Sequence, residues 1–512
     1  MVTQLKAMVV VMFFATAVFM VAKTVCLRFM SEKDFTRRRN VFLALTLTAF
    51  LAPSFWLYAL VAVPLLAWAA HRDSNPPAIY MLMLHVIPPF SIQLPVVGVN
   101  QLFDLNQYRI LAFAVLLPML LRTRGVASAT VAARGWSLPD VLLVAYLLLQ
   151  LVLPIPYESV TNTLRRTFLA GLDVMLLYFV FSRMLTSRRN FTDMMAAFTL
   201  SCAIAAPIAT FESVKGWLQY QSIGDLWGAP LDFAFLMRGG TLRAQVSSGH
   251  SLALGYLMSM GFGFWLYLQA HLPSARWRWG VVGWLLMGLI ASYARGPWLV
   301  AVVVFLAFMA YRSGPMAKLY KLACYLLIAG GLLLVSPLGT NIITSLPFGN
   351  IDTGNVTYRQ RLTEVSWQLV MQNPLFGDLF VMDQMESLRQ GQGIIDLVNT
   401  YAGVALFYGL TGLALFLGFF LSALLKAHRV VHSVASGDRE LAHLGAAIVA
   451  CLVGTLFMMA TGSFGTGLAQ LAWTLGAMAV GYSRLAVMPT VATLPNVERY
   501  RSVRRPFQAK QG

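Results

Sequence analysis

"LIASYARGPWLVAVVV", residues 289–304, sets a single arginine, Arg295, in the middle of a long uncharged stretch. From Trp279 to Tyr311 no other residue carries a formal charge. A guanidinium cannot shed its proton, and placing it in hydrocarbon costs ~2.5–3.5 kcal/mol on insertion scales. The charge therefore needs a wet position, and the flanks say where. Arg276 and Arg278 precede the run and Arg312 follows it, so both ends carry the positive charge expected at a cytoplasmic boundary. The run then reads as a hairpin with Arg295 at its far turn. Each arm has about 16 residues, roughly 24 Å at 1.5 Å per residue, less than a ~30 Å hydrocarbon core. An Arg295-Gly296-Pro297 turn is expected slightly below the far surface, at the floor of an outward-facing cavity. Gly and Pro break the helix there, and broken backbone is tolerated at membrane depth where it lines water.

The rest of the chain supports a membrane setting. Of 512 residues 58% are hydrophobic and 11% charged, where soluble domains carry roughly 25% charged. Apolar runs of spanning length recur throughout, so the expected class is all-α, a polytopic integral membrane protein with roughly 12–15 transmembrane helices. The net charge of +18 is dispersed in short clusters between the runs, which fits the positive-inside rule and not a nucleic-acid surface. Cys26, Cys202, Cys324 and Cys451 lie in or beside apolar stretches without metal-type spacing, so neither disulfides nor a cysteine metal site is expected. The first run, Met8 to Ala22, reads as a retained helix, because Ala15-Thr16-Ala17 lies inside it and not after it.

Basic clusters mark one side: Arg37-Arg38-Arg39; Arg122, Arg124 and Arg134; Arg183, Arg188 and Arg189; Arg276 and Arg278; Arg312, Lys318 and Lys321; Lys426, Arg429 and Arg439; and the tail from Arg484 to Lys510. An even number of crossings must separate successive clusters. Runs 138–156 and 164–185, 192–214 and 251–270, 318–338 and 398–425, and 440–463 and 465–485 satisfy this in pairs. Val41 to Ala70 is long for one helix and short for two, with Pro53 near its middle.

The same parity puts two long loops, 215–250 and 339–397, on the side of Arg295. The first holds "RGGTLRAQVSSGHSLALGY" with Arg238, Arg243 and His250; the second supplies Arg359, Arg361, Arg389 and Asp396. Three outer segments thus bring arginine to one face, against the usual bias. The planar guanidinium fork matches phosphate oxygens bidentately, which suits an anionic lipid headgroup such as a diphosphate. Plainer readings stand beside this one. Arg238 and Arg389 suit snorkelling anchors, His250 and His85 suit structural histidines, and Arg361 suits an intrahelical pair with Glu364. Asp173 reads either as an intramembrane relay or as a partner of Arg166. No nucleotide loop, HExxH, GxSxG or DxD-type pair is present, so arginines and not a divalent metal are expected to hold any phosphate leaving group, with no cofactor.

These residues together resemble the O-antigen ligase and polymerase superfamily of bacterial envelope polysaccharide synthesis. "SYARGPWL" looks like that family's SxSRGxWL turn, with Ala294 where serine is common. "LRAQVSSGHSLALGY" looks like its arginine-then-Gly-His segment. Val398-Asn399-Thr400-Tyr401 followed by Gly409 and Gly412 resembles its His-Asn and GxxG signature. The motifs run from Arg243 to Gly412; the N-terminal half is similar only in spanning the membrane repeatedly. In ligases the signature histidine is regarded as essential, and here that position is Val398, which favours the polymerase branch. "MESLRQGQGIIDLVNTY" likewise looks like the variant in exopolysaccharide-type polymerases.

The resemblance implies N-terminal helices in 1–214, a first periplasmic loop in 215–250, central helices in 251–338, a large periplasmic loop in 339–397, C-terminal helices in 398–485 and a basic cytoplasmic tail in 486–512. It implies an inner-membrane glycosyltransferase that polymerises undecaprenyl-diphosphate-linked repeat units at the periplasmic face. Membrane lipids, and a chain-length regulator as a further candidate, would be its partners; nucleic acid would not. Arg243, Arg295 and Arg359 or Arg361 would bind the diphosphate, His250 or Asp396 would be the base, and Asn399 and Tyr401 would orient loop or sugar. A ligase that transfers glycan to lipid A-core and a lipid-linked oligosaccharide flippase are the alternatives.

Overall fold

The computed structural model describes residues 2–94, 102–123, 135–228, 235–312, 316–335, 353–389, 395–463 and 468–487. The tail beyond 487, Arg124 and Arg134, and the parts 339–352 and 390–394 of the second loop lie outside the described residues. Among the described residues the chain is almost wholly helical. Strand is confined to two short antiparallel hairpins, Ser91–Gln93 with Asp104–Asn106 and Met237–Arg238 with Thr241–Leu242.

Among the described residues, eight helices are long and apolar enough to cross a membrane: Val2–Cys26, Phe55–Arg72, Leu138–Tyr157, Val160–Met184, Arg188–Lys215, Ser251–His271, Thr400–Val434 and Arg439–Thr461. Arg295–Met309 is apolar but shorter. The protein is therefore all-α and of the membrane type. Such helices satisfy their backbone internally, which a lipid environment demands, and side chains serve the exposed first turns. Ser31, Ser187 and Asp438 each accept an amide three residues on, at 3.1, 3.2 and 3.0 Å.

The ambiguous stretch Val41 to Ala70 is two helices, Glu32–Leu51 and Phe55–Arg72. The first starts ahead of the apolar run, so Arg37, Arg38 and Arg39 lie inside a helix and not in a loop. Arg188–Lys215, Ser251–Leu268 and Arg439–Thr461 form the middle of the bundle, buried on nearly every side. Small residues let them approach closely. A Cβ on Gly263 would lie 2.4 Å from the Cys451 sulfur, and one on Gly288 2.8 Å from the Ala206 backbone. All four cysteines are buried and unbridged.

Ion pairs identify one end of the bundle. Arg38 is clamped between Asp73 at 2.7 Å and Asp193 at 2.5 Å, with the Asn75 amide donating to Asp193 at 2.9 Å. Asp140 binds Arg183 at 2.9 Å and Arg484 at 2.7 Å, and Arg188 binds Asp438 and Glu440. Lys426 lies near Asp140 and Arg484, and Arg312 and Arg439 lie near His443. Arg38, Arg183, Arg188, Arg312, Lys426, Arg439 and Arg484, hundreds of residues apart in sequence, thus share one end. The opposite end carries residues 216–228 and 235–250, the turn before Arg295 and the helix Thr353–Gln372.

Candidate functional site

The charge-free run is a hairpin of two helices, Ala275–Ala291 and Arg295–Met309. Its turn falls three residues earlier than expected, at Ser292-Tyr293-Ala294. Tyr293 takes a left-handed φ of 46°, and the Ser292 hydroxyl accepts the Ala294 amide at 3.3 Å. Arg295 is the first helical residue, and Pro297 sits in the first turn, where its missing N–H has no partner to lose. Arg295 is exposed. It has no ion-pair partner within 4 Å among the described residues.

The segment 236–250 packs against that turn. Gly239 and Gly240, with φ of 56° and 77°, close a two-residue hairpin that carries Arg238 to the Tyr293 carbonyl at 2.7 Å. Beyond it the chain is pinned by a residue that the sequence reading overlooked, Glu212. Its carboxylate is fully buried and accepts backbone N–H groups from Gln219, Gln245 and Val246 at 3.3, 2.9 and 2.8 Å. Ser213 adds a bond to the Leu242 carbonyl at 3.0 Å. The end of one membrane helix thereby fixes the backbone on both sides of Arg243. Arg243 is half-buried, and its Nε is buried without a hydrogen-bond partner. Burial and the neighbouring Arg238 push its pKa down to about 10, which leaves it charged and short of an anion.

His250 caps the next helix, its Nδ1 accepting the Leu252 amide at 3.1 Å. Burial and the Arg243 charge push its pKa down to about 4. The ring is therefore neutral at pH 7, with the proton on Nε2 as long as the cap is made. It is better placed to donate a hydrogen bond than to take a proton.

The other wall comes from Thr353–Gln372. The Tyr358 hydroxyl donates to the Asp396 carbonyl at 3.1 Å and accepts the Asp396 amide at 3.0 Å, which brings Asp396 beside Arg359. Desolvation raises the Asp396 carboxyl above its ordinary value of 3.8, with Arg359 opposing. Desolvation likewise lowers Arg359, with Asp396 opposing and Arg238 adding to the shift. Arg238, read from sequence as an anchor, thus stands between Arg243 and Arg359 and feels both. Arg361 is two positions further on, about 200° around the helix, so it does not share that face. It is exposed and makes no ion pair with Glu364.

Asn399 and Tyr401 hold the following helix in place. The Asn399 side chain accepts the Tyr401 and Ala402 amides at 2.9 and 3.3 Å, and the Tyr401 hydroxyl donates to the Leu456 carbonyl at 2.7 Å. A cavity of about 240 Å³ lies alongside, lined by Arg359, Ser366, Val398, Asn399 and Tyr401 among others. Val398 packs with an apolar cluster there. Gly409 breaks the helix with φ 65° and ψ −171°, and the loop 374–378 bonds into the gap: Leu410 N–H to Pro374 at 2.7 Å and Asp378 N–H to Leu406 at 2.8 Å.

Against known proteins, the chain matches no family profile and no curated sequence.

Other charged residues fall outside this site. Asp173 pairs with Arg109 at 2.8 Å, 64 residues away, while Arg166 pairs with Glu158. Arg389 is bound to Glu386 at 2.7 Å, and His85 is buried against Ser201 at 2.7 Å. Among the described residues no three His, Cys, Asp or Glu side chains come together.

Proposed function

We propose that this protein polymerises undecaprenyl-diphosphate-linked oligosaccharide repeat units, with its arginine-rich end on the periplasmic face of a bacterial inner membrane. One observation carries the reading. Arg243, Arg295 and Arg359 arrive from three separate chain segments at one end of the bundle, none held in an ion pair within 4 Å among the described residues, and Arg359 lines an apolar cavity there. An amphiphile with a doubly charged head answers that combination.

In the reaction, a hydroxyl of the incoming lipid-linked unit attacks the anomeric carbon of the growing chain. The bond from that carbon to the diphosphate oxygen breaks, and undecaprenyl diphosphate leaves with the electron pair. The arginines stabilise the charge as it develops. Asp396 takes the hydroxyl proton, since its raised pKa makes it a stronger base than an ordinary carboxylate. His250, with Nδ1 engaged in the cap, donates from Nε2 to a substrate oxygen. With Val398 at the signature position, no imidazole is available there, which supports polymerisation over ligation. Fifteen passes, the shorter helices and the broken segment 76–90 included, would bring both long loops to the periplasm.

The test is reconstitution of the full chain in liposomes with the cognate lipid-linked repeat unit alone. A ladder of increasing repeat number is expected. A single unchanged band, converted only when lipid A-core is added, would make the protein a ligase; no transfer to either would favour a transporter.

A further inference from the structure

From the basic end, a cleft of about 690 Å³ opens sideways between Met316–Val335 and Thr400–Val434 and reaches Tyr401 at its far end. Its walls are apolar, with Ile328 on one helix, Leu421 and Leu425 on the other, and Val449 and Val453 behind. Its rim faces outward into the bilayer region: Leu326 is 64% exposed and Leu425 50%. One mouth alone is polar. There Lys321 is exposed, the Tyr311 hydroxyl bonds to His428, and the His428 and His432 rings lie 4.6 Å apart. Among the described residues the lining contains no carboxylate.

We propose that this cleft binds an anionic phospholipid, its phosphate at Lys321, His428 and His432 and one acyl chain between the two helices. Charge complementarity selects the headgroup, since a basic pocket between membrane helices with no acid in it favours a net negative head. A zwitterionic lipid brings its own cation to Lys321 and loses that advantage. The depth fits as well. From Leu421 to His432 the helix rises about 16 Å at 1.5 Å per residue, one leaflet of a roughly 30 Å core. Free phosphate has no use for the apolar walls. The headgroup site at Lys321, His428 and His432 does not rest on the polymerase reading, although the far end of the cleft shares Tyr401 with the cavity beside Arg359.

Native mass spectrometry of the purified full-length protein, titrated with phosphatidylglycerol or phosphatidylcholine of equal chain length, tests this. Wild type is expected to retain phosphatidylglycerol at least about fivefold better, the scale of one lysine near a charged surface. Lys321→Gln combined with His428→Asn and His432→Asn should bring the ratio to about one. Ile328→Trp, which fills the cleft without touching its charges, should lower retention of both lipids. Equal retention of the two lipids by wild type overturns the proposal. So does a preference that survives the triple substitution, or one that inorganic phosphate alone abolishes.

Discussion

At Arg243 the guanidinium is held by its backbone and not by a counter-ion. Glu212, through three amides, does the holding, and that arrangement is directly testable. In Glu212→Gln one of the three N–H groups would face an NH₂ in place of an oxygen, at a cost of about 1–3 kcal/mol for a buried donor left unsatisfied. Glu212→Ala should cost more, and thermal unfolding in detergent reads both. Arg295→Ala and Arg243→Ala are expected to cut polymer synthesis on the order of 100-fold or more, the scale of losing one charge-stabilising donor. Their unfolding temperatures should stay near wild type. The pH profile separates the two base candidates. A base works only when deprotonated, so activity is expected above the raised Asp396 pKa and lost as pH falls through it. That limb lies above the ordinary 3.8. Asp396→Asn should remove the limb along with about 100-fold of the rate. His250→Asn preserves a cap acceptor and should leave the limb where it is; a limb that disappears with His250 would reassign the base.

At the scale of elements, the break at Gly409 is the most exacting feature. A φ of 65° with ψ near 180° is essentially a glycine conformation, costing about 1–3 kcal/mol for other residues. A Cβ there would also lie 2.4 Å from the Leu375 carbonyl carbon and oxygen. Gly409→Ala should therefore release the loop 374–378, seen as faster proteolysis within 373–389. The sequence showed that glycine but not its partner. What it disclosed well was local: run lengths and the hairpin around Arg295. What it hid was pairing at a distance. Asp173 has Arg166 within two turns, yet its ion pair is with Arg109, 64 residues earlier in the chain. Glu212 lies 34 residues from the Val246 amide it accepts, and nothing in the intervening residues marks that link. The turn was misplaced by three residues for a related reason. Pro297 reads as a helix breaker in isolation, but it is equally at home in a helix's first turn.

At the scale of the whole molecule, the gathered basic clusters define sidedness. With its own cysteines buried, the protein suits labelling by a membrane-impermeant thiol reagent. Gly240→Cys is expected to react from the side opposite to Arg312→Cys, and the same side for both would undo the topology. The buried clamp on Arg38 ties Glu32–Leu51, the end of Phe55–Arg72 and the start of Arg188–Lys215 together. Arg38→Ala would strand two buried carboxylates, Asp73 and Asp193, and should destabilise the fold by about 3–5 kcal/mol, measured by denaturant unfolding. Separate chain segments also build the arginine site, and this has a consequence in time. Chain emerges from a ribosome at about 5–20 residues per second, so Arg243 waits on the order of ten seconds for Asp396 and the helix behind it. On the proposed reading, a nascent chain that already carries Arg243 and Arg295 has no base until the later helices insert. Sugar transfer, on the proposed reading, starts only after nearly the whole protein has been made.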